Sequence, residues 1–175
     1  MAIFQFDDKI PKIGKDCYIA NSAEVIGDVA LGDGCYVGPG AILRGDYGKI
    51  VIGENCGIEE NVVIHARPTE TCTLADWVTI GHGAIIHNVK LINDYSVIGM
   101  GAVVSDWADV GKYAAVAEGA MVRNGQVIGD GEIAAGVPAK VIGNTSEEWR
   151  KQWLTFKKYY VDFAHTYRIR LKRLG

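Results

Sequence analysis

The chain lacks several features that mark whole classes of proteins. No stretch approaches the ~18 consecutive apolar residues that a membrane span requires, and residues 1–8 are acidic rather than basic, so we expect no membrane segment and no export signal. A net charge of −3 gives no overall attraction to nucleic acid or anionic lipid. Hydrophobic residues make up 49% and charged residues 22%, near the globular average, which excludes intrinsic disorder.

Cysteine, proline and histidine are scarce, with four of each in 175 residues, whereas glycine occurs 22 times. No cysteines have the paired spacing of a zinc ribbon, and nothing indicates an oxidising compartment, so we expect a cytoplasmic protein. The length fits one domain, or one domain with a small appendage.

Aliphatic residues recur every six positions over most of the chain, with phase slips after Leu43 and Ile64. Every member of the series is Ile, Leu or Val: Ile13, Ile19, Val25, Leu31, Val37, Leu43, Ile52, Ile58, Ile64, Leu74, Ile80, Ile86, Ile92, Ile98, Val104, Val110, Val116, Val122 and Ile128. A period of six cannot keep one stripe on an α-helix. The pattern predicts a parallel β-helix in which one aliphatic per hexapeptide fills the axis.

Glycine and small residues occupy the remaining special positions of the hexapeptide, where tight corners need them. Cys17, Cys35 and Cys56 hold the small-residue position, as does Cys72 if a broken hexapeptide begins at Pro68. We therefore expect all four to be buried thiols that behave as small hydrophobes. Three hexapeptides per coil give about six coils and a prism roughly 29 Å long, at about 4.8 Å per coil.

This repeat resembles the left-handed hexapeptide β-helix of bacterial transferases and γ-class carbonic anhydrases, which implies the left hand. We predict three segments: an N-terminal strand within residues 1–12, a β-helix over residues 13–143, and a C-terminal α-helix over residues 144–175 packed on the β-helix.

The last segment has helical patterning. Thr145 and Glu148 have the spacing of a capping box. Apolar side chains then recur at steps of three or four and predict one stripe: Trp149, Trp153, Phe156, Tyr160, Phe163, Tyr167, Leu171 and Leu174. Residues 145–175 contain eight basic and three acidic side chains. We expect this basic helix to lie along the acidic coils of its own or a neighbouring chain rather than on a membrane surface.

Three of the four histidines form the spacing H-x16-H-x4-H. His65 and His87 each follow an axial isoleucine, three hexapeptides apart, provided that the extra residues after Ile64 bulge outward. They should therefore stack one coil apart on an outer face. His82 lies in the preceding hexapeptide, on another side of the coil, and His165 on the helix is read as an incidental surface residue.

A three-fold arrangement of chains would bring His82 of one subunit beside His65 and His87 of its neighbour. Three imidazoles with an open fourth position are typical of catalytic zinc, which lowers the pKa of bound water toward ~7. Iron and cobalt suit the same ligands. The spacing thus predicts a metal site in a homotrimer that acts on a small molecule.

Several segments resemble the γ-class carbonic anhydrase family, in its short-loop bacterial branch related to phenylacetate and carnitine pathway proteins. They are Gly27-Asp28-Val29, Val37-Gly38-Pro39, Leu43-Arg44-Gly45-Asp46, Ile64-His65, Ile80-Gly81-His82-Gly83 and Ile86-His87. The resemblance covers residues 10–145. It implies that His65, His82 and His87 hold the metal at a trimer interface and that the activity is reversible hydration of carbon dioxide.

The resemblance also implies roles for residues around the metal. Arg44 and Asp46 match the family's arginine and aspartate, and the arginine pairs with acidic groups across the subunit boundary; a solvated surface pair is the alternative. Glu59 and Glu60 stand where the family usually has glutamine and aspartate. Glu59 can accept but not donate a hydrogen bond when ionised, and would take protons only with a raised pKa. Tyr160 matches a tyrosine near the site, although it also belongs to the apolar stripe.

Three other functions remain open at this point. The Gly136–Ile142 run is common in coenzyme A-dependent acyltransferases of the hexapeptide family, which need one catalytic histidine and no metal. The same metal site could hydrolyse a thioester. A third possibility is a non-catalytic trimeric scaffold in which zinc only joins subunits.

Overall fold

The computed structural model describes residues 2–174 and shows a left-handed parallel β-helix of about seven turns followed by one α-helix. The predicted fold class is confirmed. Between residues 2 and 174, no helix is long and apolar enough to cross a membrane.

Most strands are only two residues long, because a corner follows each side of the triangular coil. The strands are β1 (Ala2–Phe4), β2 (Lys12–Ile13), β3 (Tyr18–Ile19), β4 (Glu24–Leu31), β5 (Tyr36–Val37), β6 (Ile42–Ile52), β7 (Gly57–Ile58), β8 (Val63–His65), β9 (Thr71–Leu74), β10 (Thr79–Ile80), β11 (Ile85–His87), β12 (Leu91–Ile92), β13 (Val97–Ile98), β14 (Val103–Val104), β15 (Asp109–Val110), β16 (Ala115–Val116), β17 (Met121–Val122), β18 (Val127–Ile128), β19 (Glu132–Ala135) and β20 (Lys140–Asn144). Helix α1 spans Glu147–Arg170.

The axial aliphatics stack in three in-register columns, which define three faces. The first face stacks Ile3, Val25, Leu43, Ile64, Ile86, Val104 and Val122. The second stacks Ile13, Leu31, Ile52, Leu74, Ile92, Val110 and Ile128. The third stacks Ile19, Val37, Ile58, Ile80, Ile98, Val116 and Ala134.

These columns confirm the six-residue register through both phase slips. The slip after Leu43 is absorbed by β6, which continues from the first face to the second, and the slip after Ile64 by a turn before β9. The structure has about one turn more than the repeat predicted, because Ile3 and Ala134 extend two columns at opposite ends.

Stacked aromatic rings occupy one corner between the second and third faces. Trp77, Tyr95 and Tyr113 have φ angles of 58°, 60° and 57°, a left-handed conformation that is rare for bulky residues. Their ring centroids are 6.1 and 4.9 Å apart with nearly parallel planes. Stacking along the corner therefore offsets part of the backbone strain at these positions.

Helix α1 begins one residue later than the capping-box spacing predicted. Ser146 is the N-cap, and its hydroxyl accepts a hydrogen bond from Trp149 N at 3.1 Å. Thr145 is instead buried: it donates to the carbonyl oxygens of Tyr113 and Gly131, and its hydroxyl accepts from Arg150. The predicted cap was wrong because Thr145 is held by the β-helix itself.

The helix packs on the third face of its own β-helix, near β3, β5 and β7. Four residues of the predicted stripe are half-buried, namely Trp149, Trp153, Tyr160 and Tyr167, but the buried residues of the helix are Lys157 and Ala164. Phe156 and Phe163 are each 40% exposed, and the helix ends before Leu171. An apolar pattern could not identify a buried lysine.

The cysteines are free thiols. Cys35, Cys56 and Cys72 are buried as predicted, whereas Cys17 is half-buried because it lies in the first complete coil, where less of the structure covers it. Burial raises the pKa of Cys72 to about 12. These thiols fill corners and are poor nucleophiles.

Candidate functional site

The residues that directly follow the axial aliphatics form a polar column on the first face. Arg44 pairs in register with His65, and His65 with His87. The two imidazole centroids are 5.4 Å apart. The structure thus brings these two histidines together one coil apart, as the hexapeptide spacing predicted.

Asp46 and Arg44 both contact His65. Arg44 Nη1 donates to Asp46 Oδ2 at 2.7 Å, and Arg44 Nη2 lies 3.4 Å from His65 Nδ1. His65 Nε2 lies 3.2 Å from Asp46 Oδ1. Burial and the Arg44 charge lower the pKa of His65. For Asp46, burial opposes ionisation, but hydrogen bonds from Arg44 and Tyr47 outweigh it and lower the pKa.

His87 has a partner that the sequence analysis missed. Its Nδ1 lies 2.9 Å from Oδ1 of Asp106, a buried carboxylate. Arg67 donates from Nε to the same oxygen at 2.6 Å and from Nη2 to Oδ2 at 3.0 Å. Hydrogen bonding from Arg67 is the main cause of the lowered pKa of Asp106. Counting two residues beyond axial Val104 would have placed this carboxylate one coil from His87. We call Arg44, Asp46, His65, His87 and Asp106 the first-face cluster.

His82 lies at the corner that leads from the third face to the first, between two glutamates. Its Nε2 is 3.1 Å from Glu59 Oε2 and its Nδ1 is 2.6 Å from Glu60 Oε2. Its backbone N–H also donates to Glu59 Oε2 at 3.0 Å. Tyr36 donates its hydroxyl to Glu60 Oε1 at 3.0 Å.

Tyr160 reaches this corner from helix α1. Its ring packs on Gly57, where an added Cβ would lie 3.1 Å from the ring, so a side chain there would displace the ring by a few tenths of an ångström. Burial, followed by a hydrogen bond to Glu59, raises the pKa of Tyr160. We call Glu59, Glu60, His82, Tyr36 and Tyr160 the corner cluster.

A groove of about 340 Å³ adjoins the corner cluster between helix α1 and the third face. Glu59, His82 and Tyr160 line one part of it. The remaining walls are mostly apolar and include Val97, Ala115, Val116, Trp149 and Trp153. The groove can therefore hold a ligand with an apolar portion beside His82.

The three sequence-predicted ligands do not meet within one chain. Residues 2–174 contain no group of three or more His, Cys, Asp or Glu side chains placed to hold a metal. Imidazole nitrogens suit zinc, iron or cobalt, and His87 Nε2 has no hydrogen-bond partner among these residues. His65 and His82 each have both ring nitrogens near charged side chains, so a metal there requires one contact to open.

Comparison with known proteins agrees with this architecture. Residues 10–45 match the family described as "Bacterial transferase hexapeptide (six repeats)". Gamma carbonic anhydrase 2, mitochondrial, from Arabidopsis thaliana is 35% identical over 163 residues, 90% of this chain and 58% of that protein. Carnitine operon protein CaiE from Proteus sp. (strain LE138) is 37% identical over 97 residues, 55% of this chain and 49% of that protein. The chain thus spans about half the length of these curated relatives.

A solved structure matches almost end to end. The hexapeptide transferase family protein from Anaplasma phagocytophilum has a TM-score of 0.90 and 30% identity, and the match covers 95% of this chain and 98% of that one. Since this likeness extends over nearly all of both chains at 30% identity, the chain belongs to the hexapeptide-repeat family.

Proposed function

We propose that the chain is a metal-dependent, carbonic-anhydrase-like enzyme that catalyses the reversible hydration of carbon dioxide to bicarbonate in a cytoplasmic homotrimer. His65 and His87 of one subunit and His82 of the next hold the metal in this proposal. The observation that carries it is the in-register pair of imidazoles 5.4 Å apart on the first face, with His82 at a separate corner of the same chain.

The donor set suits zinc, with iron and cobalt as the other candidates. Such an ion supplies Lewis acidity, which makes water nucleophilic near neutral pH. The rest of the proposal concerns the side chains of the protein. Asp106 holds the Nδ1 side of His87 and so directs Nε2 outward. Arg44 and Asp46 contact the two ring nitrogens of His65, so in this proposal one of these contacts opens when His65 binds the metal.

Glu59 is the group best placed to accept a proton in the corner cluster. Its Oε2 lies beside both the ring and the backbone N–H of His82, and the Tyr160 ring packs on Gly57, two residues before it. Ionised Glu59 only accepts hydrogen bonds, whereas a glutamine would also donate them. Glu60 is half-exposed and bonds Tyr36, which leaves it able to face a neighbouring subunit.

Mixing two inactive variants tests the shared site. His82→Ala and His87→Ala trimers should each lose carbon dioxide hydration in a stopped-flow assay of metal-loaded protein. In trimers reassembled from an equal mixture, about a quarter of the interfaces combine an intact His82 with an intact His65–His87 pair, so about a quarter of the activity should return.

His165→Ala is the matched control, because this histidine lies on helix α1 away from both clusters, and it should keep full activity. Metal analysis of the wild-type trimer should give one ion per chain. Wild-type protein that is trimeric and fully metal-loaded but hydrates no carbon dioxide above buffer contradicts the activity, and failure of the mixed trimers to recover contradicts the shared site.

The groove supports a second candidate function. Its volume of about 340 Å³ is larger than carbon dioxide requires, and its apolar walls suit an acyl chain. Glu59 beside His82 also resembles a base with its orienting carboxylate. A coenzyme A-dependent acyltransferase, or a thioester hydrolase using the metal site, would exploit this groove. Saturable acetyl-coenzyme A binding by metal-free protein favours the acyltransferase; thioester turnover that requires metal favours the hydrolase.

A further inference from the structure

Lys157 is buried, and within the described chain its ammonium hydrogen-bonds to uncharged groups. Its side chain lies between helix α1 and the third face and is 3% exposed. The ammonium donates to Thr79 Oγ1 at 3.0 Å and to the carbonyl oxygen of Ser96 at 2.8 Å, and it lies 5.9 Å from the ring centre of Trp153. No carboxylate between residues 2 and 174 comes within ion-pair distance of it. Burying such a charge disfavours folding, so stability alone does not account for this lysine.

Glu59 is a buried anion in a complementary situation. It is 6% exposed. It receives a hydrogen bond from the backbone N–H of His82. Its only ion-pair contact within the described chain is His82, and neither Lys nor Arg approaches it that closely. Burying a carboxylate costs free energy that a positive charge nearby offsets.

The strand register places Glu59 and Thr79, the residue that binds Lys157, on neighbouring rungs of the third face. Thr79, which binds Lys157, pairs with Gly57, and Glu59 follows Gly57 by two residues. Tyr160 lies on Gly57. Helix α1 therefore presents Lys157 and Tyr160, one helical turn apart, over adjacent rungs. Burial lowers the pKa of Lys157 to about 7, while Cys56 and Glu59 are the groups that oppose this shift.

We infer that Lys157 is a positioning residue of the candidate site: its buried ammonium balances the carboxylate of Glu59 and keeps that carboxylate bonded to the backbone N–H of His82. The inference rests on the proposed function only in assigning His82 to the site. Its test needs neither metal nor turnover, so the two ideas can fail separately.

Amide hydrogen exchange in the metal-free protein at pH 6, measured by NMR, reports on this contact directly. The Lys157→Met variant should accelerate exchange of the His82 amide about tenfold. The amide of Gly81, which donates to the carbonyl of Ile98 at 2.8 Å, should change little. Lys158→Met is the matched control, because Lys158 is exposed on the same helix, and it should leave both amides unchanged.

The double variant Glu59→Gln/Lys157→Met separates charge balance from packing. A neutral glutamine can accept the His82 N–H without a counter-charge, so slow exchange should return. Equal acceleration at His82 and Gly81, no acceleration in Lys157→Met, or no recovery in the double variant would each overturn the inference. If Lys157→Met does not fold, the inference requires the double variant to fold, and an unfolded double variant overturns it.

Discussion

The two clusters of this chain achieve charge balance in different ways. In the first-face cluster each histidine contacts a carboxylate that is also bound by an arginine: Asp46 by Arg44 and Asp106 by Arg67. The arginine side chains remain 41% and 48% exposed. In the corner cluster tyrosines take the place of arginines, and the nearest buried cation is Lys157 under helix α1.

The difference follows from what covers each face. An exposed guanidinium keeps much of its hydration while it binds a carboxylate, so the pair loses little solvation free energy. A helix that covers a polar corner excludes water from it, so a balancing charge must come from the helix itself and loses its hydration when it is buried. The comparison teaches that helix α1 is part of the candidate site as well as part of the fold.

The pH dependence of stability tests the desolvation of Lys157 and should show the largest effect. Its pKa is about 7 in the folded protein against an ordinary 10.5, so between these values the unfolded chain binds more protons. Stability should therefore rise with pH across this window, by a few kcal/mol, relative to Lys157→Met. Urea unfolding of both proteins at several pH values from 6 to 10 measures this difference. Parallel curves for the two proteins would show that Lys157 is already well solvated.

Asp106→Asn tests the carboxylate of the first-face cluster. Loss of this charge should weaken the hold on His87 Nδ1 and lower metal affinity about 10–100-fold in competition with a chelator. Asp109→Asn is the control, since Asp109 contacts Lys90 on the surface, and it should leave affinity unchanged. Equal affinities for Asp106→Asn and the wild type would remove Asp106 from the site.

Ser146→Ala tests how helix α1 is held over the corner cluster, with the smallest expected effect. Loss of the N-cap should destabilise the protein by about 1 kcal/mol. Hydrogen exchange should increase along α1 and at the His82 amide, whereas amides of β8 and β11 on the first face should keep their rates. Thr145→Ser retains a hydroxyl next to the cap and serves as control. Uniform acceleration across both faces would show that the two clusters respond as one unit.

Sequence reasoning predicted the positions of His65 and His87 because a six-residue repeat makes three-dimensional neighbours countable. It missed Asp106, although the same count places it one coil from His87, since no ligand pattern marked it. It also made two errors in the helix. It predicted Thr145 as the N-cap, which is Ser146, and it predicted a purely apolar buried stripe, where the structure buries Lys157. Local sequence patterns describe one helix or strand at a time, whereas the roles of these residues depend on burial and contacts supplied by a second element.

The sequence by itself determined the β-helix, its register and the stacking of two histidines, because a period of six can be satisfied by a triangular coil and not by an α-helix. Only the tertiary structure decided that two glutamates contact His82, that Asp106 and Arg67 support His87, and that helix α1 buries a lysine. These contacts join residues far apart in the chain, and burial, which sets their charge and strength, exists only once the elements pack.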